Sequence, residues 1–216
     1  MKIGILGTGM VGNTIGTKLV QLGHEVKMGS RTANNEKAVA WVNSVSSNAS
    51  HGAFSEAASY GEIIFNCTSG FASLDALKLA GKSNLKGKIL VDIANPLDFS
   101  KGMPPILIPS YSNTTSLSEE IQKEFPDTKV VKTLNTVNCN LMVNPAIVKG
   151  EHDIFISGND TEAKLIVTDI LKSFGWKSPI DLGDIKTARG TEMLLPIWVT
   201  LMGKFQHPNF NFRIVS

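Results

Sequence analysis

The sequence has only two cysteines, Cys67 and Cys139, and they form no C-x-x-C pair. Neither lies at metal-ligand spacing from His24, His51, His152 or His207. Two scattered thiols argue against a disulfide framework and fit a reducing cytoplasm. Long apolar runs are missing too. The longest, Met193 to Val199, is interrupted by Pro196 and falls far short of the roughly 20 residues that span a bilayer. Lys and Arg form no long blocks, and the net charge is only +2. That balance speaks against nucleic acid or an anionic membrane as the main partner. No signal peptide is expected, because Met1-Lys2 leads straight into a short apolar run and then glycines. No H-E-x-x-H and no carboxylate cluster suggests a metal, and no nucleophilic or acid–base set stands out. Each of the four histidines reads as a surface or packing residue.

What is present is an ordinary globular composition. With 216 residues, 42% hydrophobic and 19% charged, the chain suits one α/β domain with a short appendage. Lys2–Leu6, Glu25–Met28, Ile63–Cys67, Ile89–Ile93, Val130–Leu134 and Asp153–Ser157 read as short strands. Met10–Leu22, Glu36–Val45, a segment around Leu74–Leu79, and Leu117–Phe125 read as helices between them. Asn159 or Asp160 caps a helix carrying Ile166, Ile170 and Phe174, which Gly175 ends. Apolar, non-alternating strands separated by helices predict a parallel sheet covered on both faces. Pro104–Ser118 reads as a long loop. Ile185–Met202 reads as helical, with Pro196 kinking it or starting a second segment, and Asn209–Val215 as a short final strand.

The chemistry begins at Gly7-Thr8-Gly9-Met10-Val11-Gly12, a G-x-G-x-x-G pattern. Its glycines permit a tight turn, close approach of backbone to a pyrophosphate, and close packing of helix on strand. The following helix offers unpaired N–H groups to the phosphate. By composition alone such a pattern arises in roughly one chain in seven of this kind, so context must carry it. The context is a preceding strand, a following amphipathic helix and a βαβ unit. The second strand then ends in Met28-Gly29-Ser30-Arg31-Thr32, without the Asp or Glu that an NAD site uses for the ribose 2′-hydroxyl. Arg31 suits a 2′-phosphate instead, with Ser30 beside it and Lys37 as a possible second cation. NADP is therefore the expected dinucleotide.

Ile3–Gly12 with Gly29-Ser30-Arg31 resembles the NADPH-dependent coenzyme F420 reductases, also called F420-dependent NADP oxidoreductases. Asp92–Leu97, Lys132–Val137, Asp181–Asp184, Ala188-Arg189, Glu192 and Leu195-Pro196 extend the resemblance to nearly the whole chain. Asn138–Val143 and His207–Phe210 look more like a bacterial branch than the archaeal pattern. The cytoplasmic domains of membrane metalloreductases share the nucleotide half. The resemblance implies a Rossmann-type doubly wound α/β fold with a mainly parallel sheet and a small C-terminal helical addition. It divides the chain into an NADP-binding domain, 1–160, and a C-terminal helical extension, 161–216, packed on it as one unit. It implies a homodimer. It places Thr8, Gly9, Met10 and Val11 on the pyrophosphate and Ser30, Arg31 and Lys37 at the 2′-phosphate. Thr68, Ser69 and Gly70, with Ala94, Asn95 and Pro96, fall on the nicotinamide side. The hydride acceptor it implies is F420 or a flavin, stacked near Asn135–Asn138 and the C-terminal helix. The apolar segment Met193–Met202 itself has two readings: a buried helix or dimer seam, or an apolar pocket for a large ring formed with Trp198 and Met202.

Two observations favour such a ring acceptor. Alcohol or carbonyl chemistry needs a proton-transfer group beside the hydride, and none stands out, whereas hydride exchange between stacked rings needs mainly orientation. The residues after about 160 also leave little room for the large helical substrate domain usual in hydroxyacid dehydrogenases. A reductase of a small carbonyl or imine, and a non-catalytic NADP-sensing module, remain the alternatives.

Overall fold

The computed structural model describes residues 1–45 and 48–215. The chain begins with β1 (Lys2–Leu6), α1 (Met10–Gln21), β2 (Glu25–Ser30), α2 (Glu36–Ser44), β3 (Ala49–Ala53), α3 (Phe54–Tyr60) and β4 (Ile63–Asn66). It continues through α4 (Ser73–Ala80), α5 (Lys82–Leu85), β5 (Ile89–Asp92), a small hairpin of β6 (Leu97–Asp98) and β7 (Ile106–Leu107), α6 (Leu117–Glu124) and β8 (Lys129–Thr133). It closes with α7 (Cys139–Val143), β9 (Phe155–Gly158), α8 (Thr161–Phe174), β10 (Ile180–Asp181), α9 (Ala188–Met193) and α10 (Leu195–Phe205). The main sheet runs β10-β9-β8-β5-β4-β1-β2-β3. Every neighbouring pair in it is parallel except β8–β9. This is a Rossmann-type doubly wound α/β fold.

The strands sort their side chains between two cores. Ile3, Ile5, Phe65, Val91 and Val131 pack with Ile15, Trp41, Leu141, Val167 and Phe174, from α1, α2, α7 and α8. Leu6, Ile64, Leu90 and Val130 pack on the opposite face with Ala57, Leu77, Leu117 and Ile121, from α3, α4 and α6. Successive strand residues point to opposite faces, so strands apolar throughout are filled from both sides. Truncating one such residue, Phe65→Ala for instance, should cost about 3–5 kcal/mol. Trp41 shows how tight the fit is. Its indole Nε1 donates to Thr17 Oγ1 at 3.1 Å, and a Cβ on Gly16 would lie 2.8 Å from its ring.

β3 and α3 escape a sequence reading because A-S-H-G-A and F-S-E-A-A-S-Y lack an apolar pattern. Their small residues have a packing reason. A Cβ on Gly4 would meet Ala57 O at 2.3 Å, and one on Gly29 would meet Ala57 Cβ at 2.7 Å. At the other end, Asp160 caps α8 by accepting from Ala163 N–H at 2.7 Å, and Gly175 ends it with φ +109°. Pro196 sits in the first turn of α10, so Ile185–Met202 is two helices behind a short 3₁₀ turn. Several expectations fail. Pro104–Ser118 is not one loop, since it carries β7, a 3₁₀ turn at Pro109–Tyr111 and the first residues of α6. β9 starts at Phe155 rather than Asp153. Asn209–Val215 forms no strand. β9 already lies between β8 and β10 and has no free edge for another partner. The tail is tied to Asp153 instead, whose N–H donates to Phe212 O and whose carboxylate accepts from Ile214 N–H.

Candidate functional site

The C-terminal ends of the parallel strands share one edge, and the candidate site lies along it. Gly7 adopts φ +120°, and a Cβ there would press on Cys67 O at 2.7 Å. A Cβ on Gly12 would lie 2.1 Å from Gly7 O, so this glycine is what lets α1 start directly against the turn. Gly9 differs, because a Cβ there would meet nothing within 4 Å. The fold demands two of the three glycines; the open space at Gly9 lies outside its needs. Gly9 is also the N-cap of α1 and has no side chain to cap the helix. The first-turn N–H groups therefore face outward beside an exposed Met10. Asn13 Nδ2 donates to Thr8 O at 3.2 Å and braces the turn.

Beside the turn lies a cavity of about 430 Å³ lined by Gly7, Thr8, Ser30, Arg31, Thr32 and Asn35 with Phe54. No carboxylate lines it. Ser30 is buried, its Oγ donating to Thr32 O at 2.5 Å, and Arg31 is exposed with no ion pair among the described residues. Lys37 does not join them. It lines a broader groove between α1 and α2 together with Asn13, Thr17 and Lys18.

A second cavity, of about 590 Å³, brings together Val11 from the turn, Thr68, Ser69, Ala94 and Asn95. Pro96, although next to Asn95, is not among the residues that line it. A Cβ on Gly70 would lie 2.2 Å from Asn95 O and 2.7 Å from Pro96 Cα, so the two loops touch backbone to backbone. Two ionisable side chains line this cavity, Cys67 and Asp98. Burial, reinforced by the Asp92 charge, pushes the Cys67 thiol far up. Hydrogen bonds from Ser100 hold the Asp98 carboxyl below its ordinary value. The Thr68 hydroxyl donates to Asn66 Oδ1 at 2.6 Å, and Asn66 Nδ2 donates to Asp92 Oδ1 at 2.8 Å.

Beneath this floor is a cluster with no role in the sequence reading. Lys132 Nζ contacts Asp92 Oδ2 and Glu192 Oε1, each at 2.9 Å, and donates to Ala94 O at 2.5 Å. All three charged side chains are buried. Glu192 also accepts from the N–H groups of Leu117 at 2.8 Å and Ser118 at 3.2 Å, at the start of α6. Burial alone would lower the Lys132 pKa, but the two carboxylates outweigh it and raise it above the ordinary lysine value. Burial raises Glu192, with Lys132 opposing. Arg189 and Glu119 add a forked pair at 2.6 and 2.7 Å. Asn135 Nδ2 donates to Asn95 Oδ1 and to Thr191 O, both at 3.0 Å. The C-terminal helices are thereby fastened to the cavity floor. The sequence did hold a signal, since a Lys in V-V-K-T and an Asp closing I-L-V-D are charges inside apolar strands.

Trp198 and Met202 do not line the second cavity. Trp198 instead stacks on Phe210, with ring centroids 5.3 Å apart.

A family profile described as "NADP oxidoreductase coenzyme F420-dependent" matches residues 2–96, from β1 to the Ala94–Pro96 turn. A solved structure from Arthrobacter sp. FB24, described as a candidate F420-dependent NADP-reductase, is 50% identical. It superposes with a TM-score of 0.94 over 100% of both chains. The F420-dependent NADP reductase of Methanocaldococcus jannaschii is 30% identical over 62% of this chain. Metalloreductase STEAP3 of Rattus norvegicus is 32% identical over 91% of it. The chain spans 60% of the first of these relatives and 38% of the second.

Proposed function

The chain belongs to the family of coenzyme F420-dependent NADP oxidoreductases, and from that premise we propose that it binds NADP(H) across the strand-end edge and exchanges hydride with a deazaflavin or flavin. Bound NADPH would supply a hydride from its nicotinamide, leaving NADP⁺, while the acceptor ring takes that hydride and one solvent proton.

The Gly9 gap and the uncapped start of α1 suit the pyrophosphate. Arg31 suits the 2′-phosphate, because no carboxylate lines its cavity to repel it, and Ser30 would join by turning its hydroxyl away from Thr32 O. Asp98, by contrast, disfavours a phosphate in the second cavity and leaves that end for the nicotinamide beside Thr68, Ser69, Ala94 and Asn95.

The observation that carries the choice of acceptor is the lining of that cavity, whose ionisable side chains among the described residues are Cys67 and Asp98. Burial pushes the Cys67 thiol up, and hydrogen bonds from Ser100 hold the Asp98 carboxyl down. Neither shuttles a proton near pH 7, as reduction of a simple carbonyl would require. Ring-to-ring hydride transfer makes no such demand on the protein, since water can protonate the reduced ring. Stopped-flow absorbance with NADPH and F420, FMN or riboflavin tests the reading. Hydride transfer to at least one ring is expected. Turnover of a ketone, aldehyde or imine with none on any ring would overturn it.

A further inference from the structure

Phe71 and Phe99 both line the second cavity, yet they are 64% and 54% exposed. They come from separate segments. Phe71 sits in the 3₁₀ turn Gly70–Ala72, and Phe99 follows β6. These segments are not loosely hung. The Gly70–Asn95 approach locks one loop to the other, and Ile108 N–H donates to Pro96 O at 2.8 Å, closing the base of the β6–β7 hairpin. The two rings thus stand at one rim of a cavity, on loops anchored at the Gly70–Asn95 approach and at the hairpin base, while much of their apolar surface meets water. Aromatic surface held this way at a cavity mouth marks a binding site for an apolar or aromatic group.

We propose that Phe71 and Phe99 form the acceptor's binding platform, taking a planar aromatic ring against the nicotinamide cavity from the hairpin side. The inference rests on the hydride-transfer reading above and adds where the acceptor sits. It moves the acceptor away from α10, because Trp198 stacks on Phe210 and lines none of this cavity. Continuity selects the occupant, since both rings belong to the same cavity wall as Thr68, Ser69 and Asn95. Charge selects its chemistry. Asp98 is the one charged side chain of the lining, so the platform favours a neutral ring with an N–H edge over an anionic group.

Phe71→Ala, Phe99→Ala and the double variant test this in the 216-residue chain, with Phe99→Tyr as the conservative control. FMN and F420 are titrated separately into NADP⁺-loaded protein by the fluorescence of the ring, which needs no turnover. NADPH affinity is measured in parallel and mass by light scattering. Each alanine should weaken ring binding about tenfold, the loss of one stacked aromatic contact. NADPH affinity should stay within about twofold, mass should not change, and Phe99→Tyr should retain ring binding. Unchanged ring affinity would overturn the platform. So would a parallel fall in NADPH affinity, which would make the two rings nicotinamide contacts, or a change in mass, which would make them a seam between copies. Normal ring reduction by the double variant would remove the platform but leave the hydride reading standing. A wild type that neither binds nor reduces a ring would remove both.

Discussion

Arg31 and Lys132 are both cations near strand ends of the same sheet, and they have opposite surroundings. Arg31 stands exposed beside the Gly9 turn with no carboxylate in its cavity. Lys132 is buried, and its Nζ reaches two carboxylates and a carbonyl. The contrast separates two uses of charge. A cation that the fold leaves unpaired at an open edge is available to a ligand. A cation enclosed by counter-charges fastens segments that hydrophobic contact alone would not register, here the Ala94 turn, the start of α6 and α9.

Removing Lys132 should give the largest effect on this contrast. Lys132→Ala strands two buried carboxylates and should cost about 3–5 kcal/mol, a fall of roughly 10 °C in melting temperature for a chain of this size. A thermal melt that barely moves would mean that the cluster is not the fastening it resembles. Gly9→Val comes next and acts on binding alone. Gly9 has φ −81° and ψ −175°, which valine adopts, and its Cβ direction is open. NADPH affinity should fall by at least about a hundredfold, with the melting temperature nearly constant. Fluorescence titration and a melt on the same sample decide it, and unchanged affinity would place the phosphates elsewhere.

Arg31→Glu should be milder. Losing a charge-assisted hydrogen bond costs about 1.5–3 kcal/mol, so the preference for NADPH over NADH should drop more than tenfold, again without loss of stability. Titrating both nucleotides against both proteins checks this; an unchanged ratio would remove Arg31 from the 2′-phosphate site. The smallest effect concerns pH. The Lys132 pKa is raised on folding, so its contribution to stability is complete below the ordinary lysine value of about 10.4 and is lost as pH rises through the higher folded value. Urea midpoints measured on either side of pH 10.4 should fall in the wild type. Lys132→Met should flatten that part of the decline, and identical slopes would show that the lysine gains nothing by folding.

Much of this was legible in the chain. Ile3–Leu6 and Ile63–Phe65 are apolar enough to announce buried strands, and three spaced glycines between a strand and a helix announce the turn. Arg31 was readable because it stands where a carboxylate would otherwise be expected. β3 and α3 were not, since alanine, serine and glycine carry no periodicity when their purpose is to let backbones approach. The acid–base cluster was hidden for a different reason. Asp92, Lys132 and Glu192 lie 40 and 60 positions apart, and only the sheet order brings β5 beside β8. Phe71 and Phe99 belong to no motif in the sequence, and only the close approach of Gly70 and Asn95 joins their loops.

The reversed direction of β9 has a consequence for how this edge can change. A parallel successor to β8 would need a crossover to carry the chain back to the far side of the sheet. An antiparallel one needs no return journey, so residues 134–154 all stay at the strand-end edge, where α7 rests on α1 and Trp176 Nε1 holds Met142 O at 2.9 Å. That stretch is bounded by two strands whose pairing does not depend on its length. Leu141 and Met142 hold its first half in the core, so it is the exposed run Lys149–Glu151 that can gain or lose residues without shifting the register of the sheet, which makes that run the part of the stretch most open to retailoring for a different partner molecule.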